Sequence, residues 1–148
     1  MKKTWVVVAN ASTAKFFSAR NARGELELVA ELTHPESRLR NQDLVSDAQK
    51  DHNNARHAAP HDGERALPKN QEMVRFAHEL AARLKAGRLE GAFERLIVVA
   101  TPHFKGMLLD ALDDATAKCV EKSIDKDYTH EDHRSLSERL ADVIRFAA

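Results

Sequence analysis

Two short stretches of this chain are apolar on both faces. Thr4–Ala9 places Trp5, Val7 and Ala9 on one side and Val6 and Val8 on the other, and Arg95–Ala100 contains Leu96-Ile97-Val98-Val99-Ala100. Runs of this kind are strands covered on both sides, and they belong at the centre of a sheet. Between them the pattern changes several times. Asn10-Ala11-Ser12-Thr13 is a turn, Ala14–Ala19 reads as a second strand, and Asn21–Gly24 is another turn. Glu25–Leu32 then alternates strictly, with Leu26, Leu28, Ala30 and Leu32 on one face and Glu25, Glu27 and Glu31 on the other. That alternation predicts a half-exposed strand, and the short turns make the three strands an antiparallel meander.

From Thr33 to about Pro68 apolar periodicity is lost, with Leu39, Leu44, Val45 and Leu67 isolated. The reading is a long polar loop over 33–70, and a loop of that length in a compact domain is usually functional or disordered. Helical spacing then appears in Met73, Val74, Phe76, Ala77, Leu80, Ala81 and Leu84, with Gly87 as a stop. After the second apolar strand, Thr101-Pro102 reads as N-cap and first helical residue. Phe104, Met107, Leu108, Ala111, Leu112 and Ala115 continue as a helical stripe. Lys118–Lys126 predicts a charged edge strand with Val120 and Ile124 on one face. Thr129 with Asp132 resembles a capping box, and Leu136, Leu140, Val143, Ile144 and Ala147 form the face of a last helix.

The order β-β-β-α-β-α-β-α predicts a single α/β domain over 1–148. Its five-stranded mixed sheet has the ribonuclease-H-like order 3-2-1-4-5. A Rossmann sheet is the alternative, which the opening meander disfavours. In the first arrangement only strand two is reversed. The carboxyl ends of the other strands then share one edge, which gathers Asn10, Ser12, His34, the loop, Thr101, His103, Lys126, Asp127 and Tyr128. Ligands of open α/β sheets favour that edge, and the helix beginning at Pro102 could hold an anion there.

Composition narrows the classes of function. Lys+Arg and Asp+Glu are equal at 23 each, which argues against a general nucleic-acid or membrane binder. The loop is balanced too, so it offers no strong unspecific phosphate affinity. One cysteine, Cys119, permits no internal disulfide and suggests a reducing compartment. No segment approaches the roughly 20 apolar residues of a membrane span. A cytoplasmic location follows as the expectation, with no membrane partner. The central strands carry no acid, which excludes a two-metal nuclease. The five glycines form no phosphate-binding motif. His52, His57 and His61 lie near Asp47, Asp51 and Asp62, but their spacing matches no established metal motif. No metal or cofactor is therefore expected.

Several segments together are more specific. They are Trp5-Val6-Val7-Val8-Ala9-Asn10-Ala11-Ser12, His34-Pro35-Glu36-Ser37-Arg38, Asp43-Leu44-Val45-Ser46-Asp47, Phe76-Ala77-His78-Glu79-Leu80-Ala81, Val99-Ala100-Thr101-Pro102-His103-Phe104-Lys105-Gly106 and Lys126-Asp127-Tyr128-Thr129. Over nearly the whole chain they resemble the "protein required for attachment to host cells" family. That family is grouped with bacterial relatives of the archaeo-eukaryotic peptide-chain release factors. The resemblance implies a release-factor middle-domain-like fold, with the loop where those factors hold a catalytic Gly-Gly-Gln. No Gly-Gly-Gln occurs here; Gly63 is the loop's one glycine.

Three functions follow as expectations. The first is a translation-associated factor binding the ribosome or tRNA, with peptidyl-tRNA ester hydrolysis left without a motif. The second is a cytoplasmic binding or regulatory module connected with host attachment. The third is a loop-based hydrolase using a histidine or a bound metal. The candidate binding residues are Asn10, Ser12, His34, Glu36, Arg38, Asp47, His57, His61, Thr101, His103, Lys105, Lys126 and Asp127, with no catalytic residue assigned. The sequence leaves the oligomeric state open.

Overall fold

A computed structural model describes residues 2–21, 23–34 and 62–147, the last including backbone only at 62–69 and 145–147. Five strands form one sheet: β1 (Thr4–Ala9), β2 (Thr13–Ala19), β3 (Leu26–Thr33), β4 (Arg95–Ala100) and β5 (Val120–Asp125). Their order is β3-β2-β1-β4-β5. The order and the mixed α/β architecture are those expected from the sequence. β1 runs antiparallel to β2 and parallel to β4, with Val7 opposite Val98. β2 is antiparallel to β3, and β4 is parallel to β5. The helices are α1 (Asp62–Leu89), α2 (Pro102–Ala111), the single turn α3 (Asp114–Ala117) and α4 (His133–Ala147).

The doubly apolar strands are central because each must be covered twice. Trp5, Val7, Leu96 and Val98 pack with Phe76, Leu80 and Leu84 of α1 and with Phe104 and Leu108 of α2. Val6, Val8, Ile97 and Val99 pack on the other face with Leu136, Leu140 and Ile144 of α4. Each large side chain so buried contributes about 1.5–3 kcal/mol relative to exposure. These two layers therefore outweigh any surface ion pair, which is worth about 0–1 kcal/mol.

At the amino end of the strands, the fully buried Arg95 fastens α4 to the sheet. Its Nε donates to Thr4 Oγ1 at 2.9 Å and its Nη2 to the Ile144 carbonyl at 3.3 Å. The second contact places a cation at the last turn of α4, where helix carbonyls favour it.

Four expectations need correction. Leu26, Leu28, Ala30 and Leu32 do not share a face. The register slips between Phe16 and Phe17, which pair with Ala30 and Leu28, so Val29 is the extra residue of a bulge. Leu26 consequently packs with the α4 layer, whereas Ala30 and Leu32 pack with the α1 layer. The expected 33–70 loop is also too long at both ends, because Thr33 closes β3 and α1 opens at Asp62. The first turns of α1 are polar, so they lack the apolar period that marks a helix.

Gly87 does not stop α1, which runs on to Leu89. A Cβ at Gly87 would lie 2.8 Å from Cη2 and 2.9 Å from Cζ3 of Trp5, so close packing requires the glycine. Finally, Asp132 alone caps α4. Its carboxylate accepts the Ser135 N–H at 2.8 Å, and that bond holds its pKa below the ordinary value against the opposing effect of burial. Thr129 belongs to a different network.

Candidate functional site

β1 ends at Ala9 and the chain must reverse into β2. Asn10 makes the turn by folding its side chain onto its own backbone. Its Oδ1 accepts the N–H groups of Ser12 and Thr13 at 2.8 and 2.9 Å, and its own N–H donates to the Thr13 carbonyl at 2.9 Å. The carboxamide nitrogen is then directed across the carboxyl edge of the sheet. It donates to Asp127 Oδ2 at 3.2 Å and to Thr129 Oγ1 at 3.1 Å, both in the connection from β5 to α4. Thr129, only 3% exposed, donates its hydroxyl and its N–H to Asp127 Oδ1 at 2.6 and 3.0 Å. Partial burial disfavours the Asp127 anion. The bonds from Thr129 and Asn10 outweigh that cost and hold its pKa below the ordinary carboxylate value.

His34, the residue after β3, joins the same edge. Its N–H donates to the Ser12 carbonyl at 2.7 Å. Its ring Nε2 lies 3.0 Å from Oε2 of Glu72, and Arg75 Nη1 donates to the other oxygen at 2.9 Å. Arg75 and His34 thus each face one oxygen of the Glu72 carboxylate. A buried carboxylate is tolerated only when both oxygens are engaged, and Glu72 is 4% exposed. The His34 ring also stacks on Phe76, with centroids 5.1 Å apart, and Phe76 stacks on Phe104 at 5.8 Å.

The remaining edge comes from β4, α2 and β5. The Lys126 N–H donates to the Ala100 carbonyl at 3.1 Å. Lys105 Nζ lies 2.6 Å from Asp125 Oδ1, with only 19% of its side chain exposed. That lysine is part of the frame and is not presented to solvent. Thr101 stands at the N-cap of α2 without a side-chain capping bond. His103 and Lys126 are exposed, and Ser12 is half-buried. The edge therefore has two parts: side chains bonded to their neighbours, which are Asn10, Asp127 (itself exposed), Thr129, His34, Glu72 and Lys105, and a second set of half-buried Ser12 and Thr101 with exposed His103 and Lys126.

Glu36, Arg38, Asp47, His57 and His61 lie outside the described residues. Among the described residues there is no cluster of three or more His, Cys, Asp or Glu that could hold a metal ion. No helix among them is long and apolar enough to cross a membrane. Cys119 is half-buried, its thiol directed to the Ala115 carbonyl at 3.5 Å.

The sequence reading missed Glu72, Arg75 and Thr129. Glu72 did leave a signal, because it occupies the same helical stripe as Phe76 and Leu80. A carboxylate on a core-facing stripe calls for a buried partner. Thr129 gave no such signal, since its residue type also fits the capping box.

The sequence model of the family described as "Protein required for attachment to host cells" matches residues 5–140. The chain belongs to this family. The match runs from Trp5 in β1 to Leu140 in α4, so β2 to β5, all of β1 but Thr4, and every described residue of the edge fall inside it. No curated protein matches the chain in sequence. In this host-attachment family member the conspicuous polar surface is thus built into the family's own domain.

Proposed function

We propose that this host-attachment family protein is a cytoplasmic binding module and that the carboxyl edge of its sheet is the binding face. The observation that carries this reading is the division of the edge into a bonded frame and the exposed His103 and Lys126 beside it. Asn10, Asp127 and Thr129 engage one another, and His34 is engaged by Glu72. Groups bound in this way hold the geometry of the edge. His103 and Lys126, exposed beside that frame, supply hydrogen bonds and charge to a partner. A rigid frame lowers the ordering cost of binding.

The test is genetic. His103→Ala with Lys126→Ala changes two exposed side chains and should leave thermal stability within about 0.5 kcal/mol of the parent. Introduced at the native locus, the pair should lower host-cell attachment several-fold at unchanged protein level. Attachment equal to the parent strain would remove the reading.

A second reading, a ribosome- or tRNA-associated factor, draws support from one feature. The strand order is 3-2-1-4-5, and the segment between β3 and α1 departs beside His34 at the carboxyl edge. That is where the release-factor resemblance places its long loop. Co-sedimentation with large ribosomal subunits would support it, and free protein in both growing and stalled cells would remove it.

A further inference from the structure

β3 ends the order β3-β2-β1-β4-β5, so only its inner side has a strand to bond. In an antiparallel pair a residue either exchanges both backbone bonds with its partner or turns both groups away, in alternation. The phase is fixed on each side of the bulge. The His34 N–H donates to the Ser12 carbonyl and the Arg20 N–H to the Glu25 carbonyl, each at 2.7 Å. Glu25, Glu27, Ala30, Leu32 and His34 therefore bond inward, and Leu26, Leu28, Glu31 and Thr33 turn outward. The Leu26 N–H accords with this assignment, since it donates to Ser137 Oγ of α4 at 3.1 Å and not to β2. Beyond Leu26, no described residue bonds to the outward groups of Leu28, Glu31 and Thr33.

The bulge does not interrupt this outer ladder. Leu28, Glu31 and Thr33 stand opposite Phe17, Lys15 and Thr13, so they recur at the spacing of alternate residues in β2. A strand of about five residues, roughly 17 Å long, spans all three. The side chains beside the ladder carry two further signals. Leu28 and Val29, adjacent in the chain, are large apolar residues 50% and 46% exposed. Glu27 and Glu31 are exposed acids. Arg20 approaches Glu27 only at 4.0 Å, and Glu31 stands opposite Lys15 without an ion pair among the described residues.

We propose that the outer edge of β3 receives an extended, basic segment of a partner protein as a sixth strand. Its backbone would bond to Leu28, Glu31 and Thr33, an apolar side chain would cover Leu28 and Val29, and Lys or Arg would face Glu27 and Glu31. An extended segment fits where a helix does not, because a helix has already spent its own donors and acceptors. A second copy of this strand is the poorer occupant. It brings Glu27 and Glu31 again and no basic residue, and charges on an edge strand oppose such self-pairing. The edge of β3 shares no residue with the His103 and Lys126 face, and either assignment can fail alone.

The test uses a fluorescent peptide of about seven residues, valine-rich with lysine at both ends, and a twin with glutamate replacing lysine. Two further forms of the basic peptide carry N-methyl groups on one or the other alternate set of amides. On titration with the full-length protein the anisotropy of the basic peptide should rise, and that of the acidic twin should not. One methylated form should lose binding and the other keep it, because only alternate amides face β3. Raising salt from roughly 50 to 300 mM should weaken binding several-fold. Glu27→Lys with Glu31→Lys alters only exposed side chains. It should weaken the basic peptide about tenfold and admit the acidic twin, with an unchanged circular dichroism melt as the check on folding. No binding of the basic peptide, equal binding of the charge twins, equal binding of the two methylated forms, or parental affinity in the variant would overturn the proposal. So would a dimer of the protein alone that the basic peptide dissociates, since the edge would then belong to a second copy.

Discussion

Replacing Gly87 with valine should destabilise the protein by about 3 kcal/mol, the upper end of the cost of overpacking a filled core. Glycine inside a helix ordinarily costs about 0.5–1 kcal/mol relative to alanine, so propensity alone predicts a gain. The contact with Trp5 reverses the sign. A new Cβ would lie 2.8 Å from the indole, and the ring has little room to retreat. It is held between Phe93, with centroids 5.0 Å apart, and Phe16, at 6.0 Å. Either α1 lifts from the sheet or Trp5 leaves its rotamer. Gly87→Ala should show the same sign at smaller size. Gly106→Ala in α2 is the contrast, because nothing lies within 4 Å of its Cβ position. It should stabilise by about 0.5–1 kcal/mol. Denaturant melts followed by Trp5, the sole tryptophan, check all three, and a red-shifted native emission in Gly87→Val would mark the displaced ring.

Asn10→Ala should cost about 2–3 kcal/mol. Four hydrogen bonds are lost at once, at about 0.5–1.5 kcal/mol each, and partial solvent access limits the penalty for the groups left behind. For a domain of this size the midpoint should fall by roughly 5–10 °C. The acid limb should change as well. Asp127 has a folded pKa below its ordinary value of 3.8. Its stabilising contribution is therefore complete above that value and is lost as pH falls through the folded value. Without the Asn10 donor the depression shrinks, so the variant should lose less further stability below about pH 3.8 than the parent does. Asn10→Asp separates the two halves of the network. It retains acceptors for Ser12 and Thr13 but sets a second carboxylate beside Asp127, so it should be at least as unstable near neutrality. An Asn10→Ala variant with parental stability and a parental acid limb would show that the network does not hold the edge together.

Both predictions concern residues whose roles the sequence showed unequally. The central strands were legible because burial on two faces leaves a continuous apolar run, and Val6–Ala9 and Leu96–Ala100 can hardly be placed elsewhere. The strand order followed from turn lengths and connectivity, and the order brought Asn10 and Asp127 to one edge before any contact was known. What escaped was governed by contacts distant in sequence. The bulge at Val29 depends on which residues β2 offers opposite it, so strict alternation in β3 misassigned Ala30 and Leu32. Gly87 read as a helix stop because local propensity favours that role, while its actual constraint is an indole 82 positions away in the chain. The early turns of α1 were hidden by their polarity. His34 was legible as an edge residue, but its partner Glu72 lies 38 positions on.

The binding-face assignment is open to a direct measurement in cells. A photoreactive amino acid placed at position 103 lies on the carboxyl edge, and one at position 2 lies beside the opposite end of the strands. Irradiation during attachment should give a discrete cross-linked adduct from position 103 and none from position 2. No adduct at position 103, or the same adduct from both positions, would contradict the assignment of the carboxyl edge as the binding face.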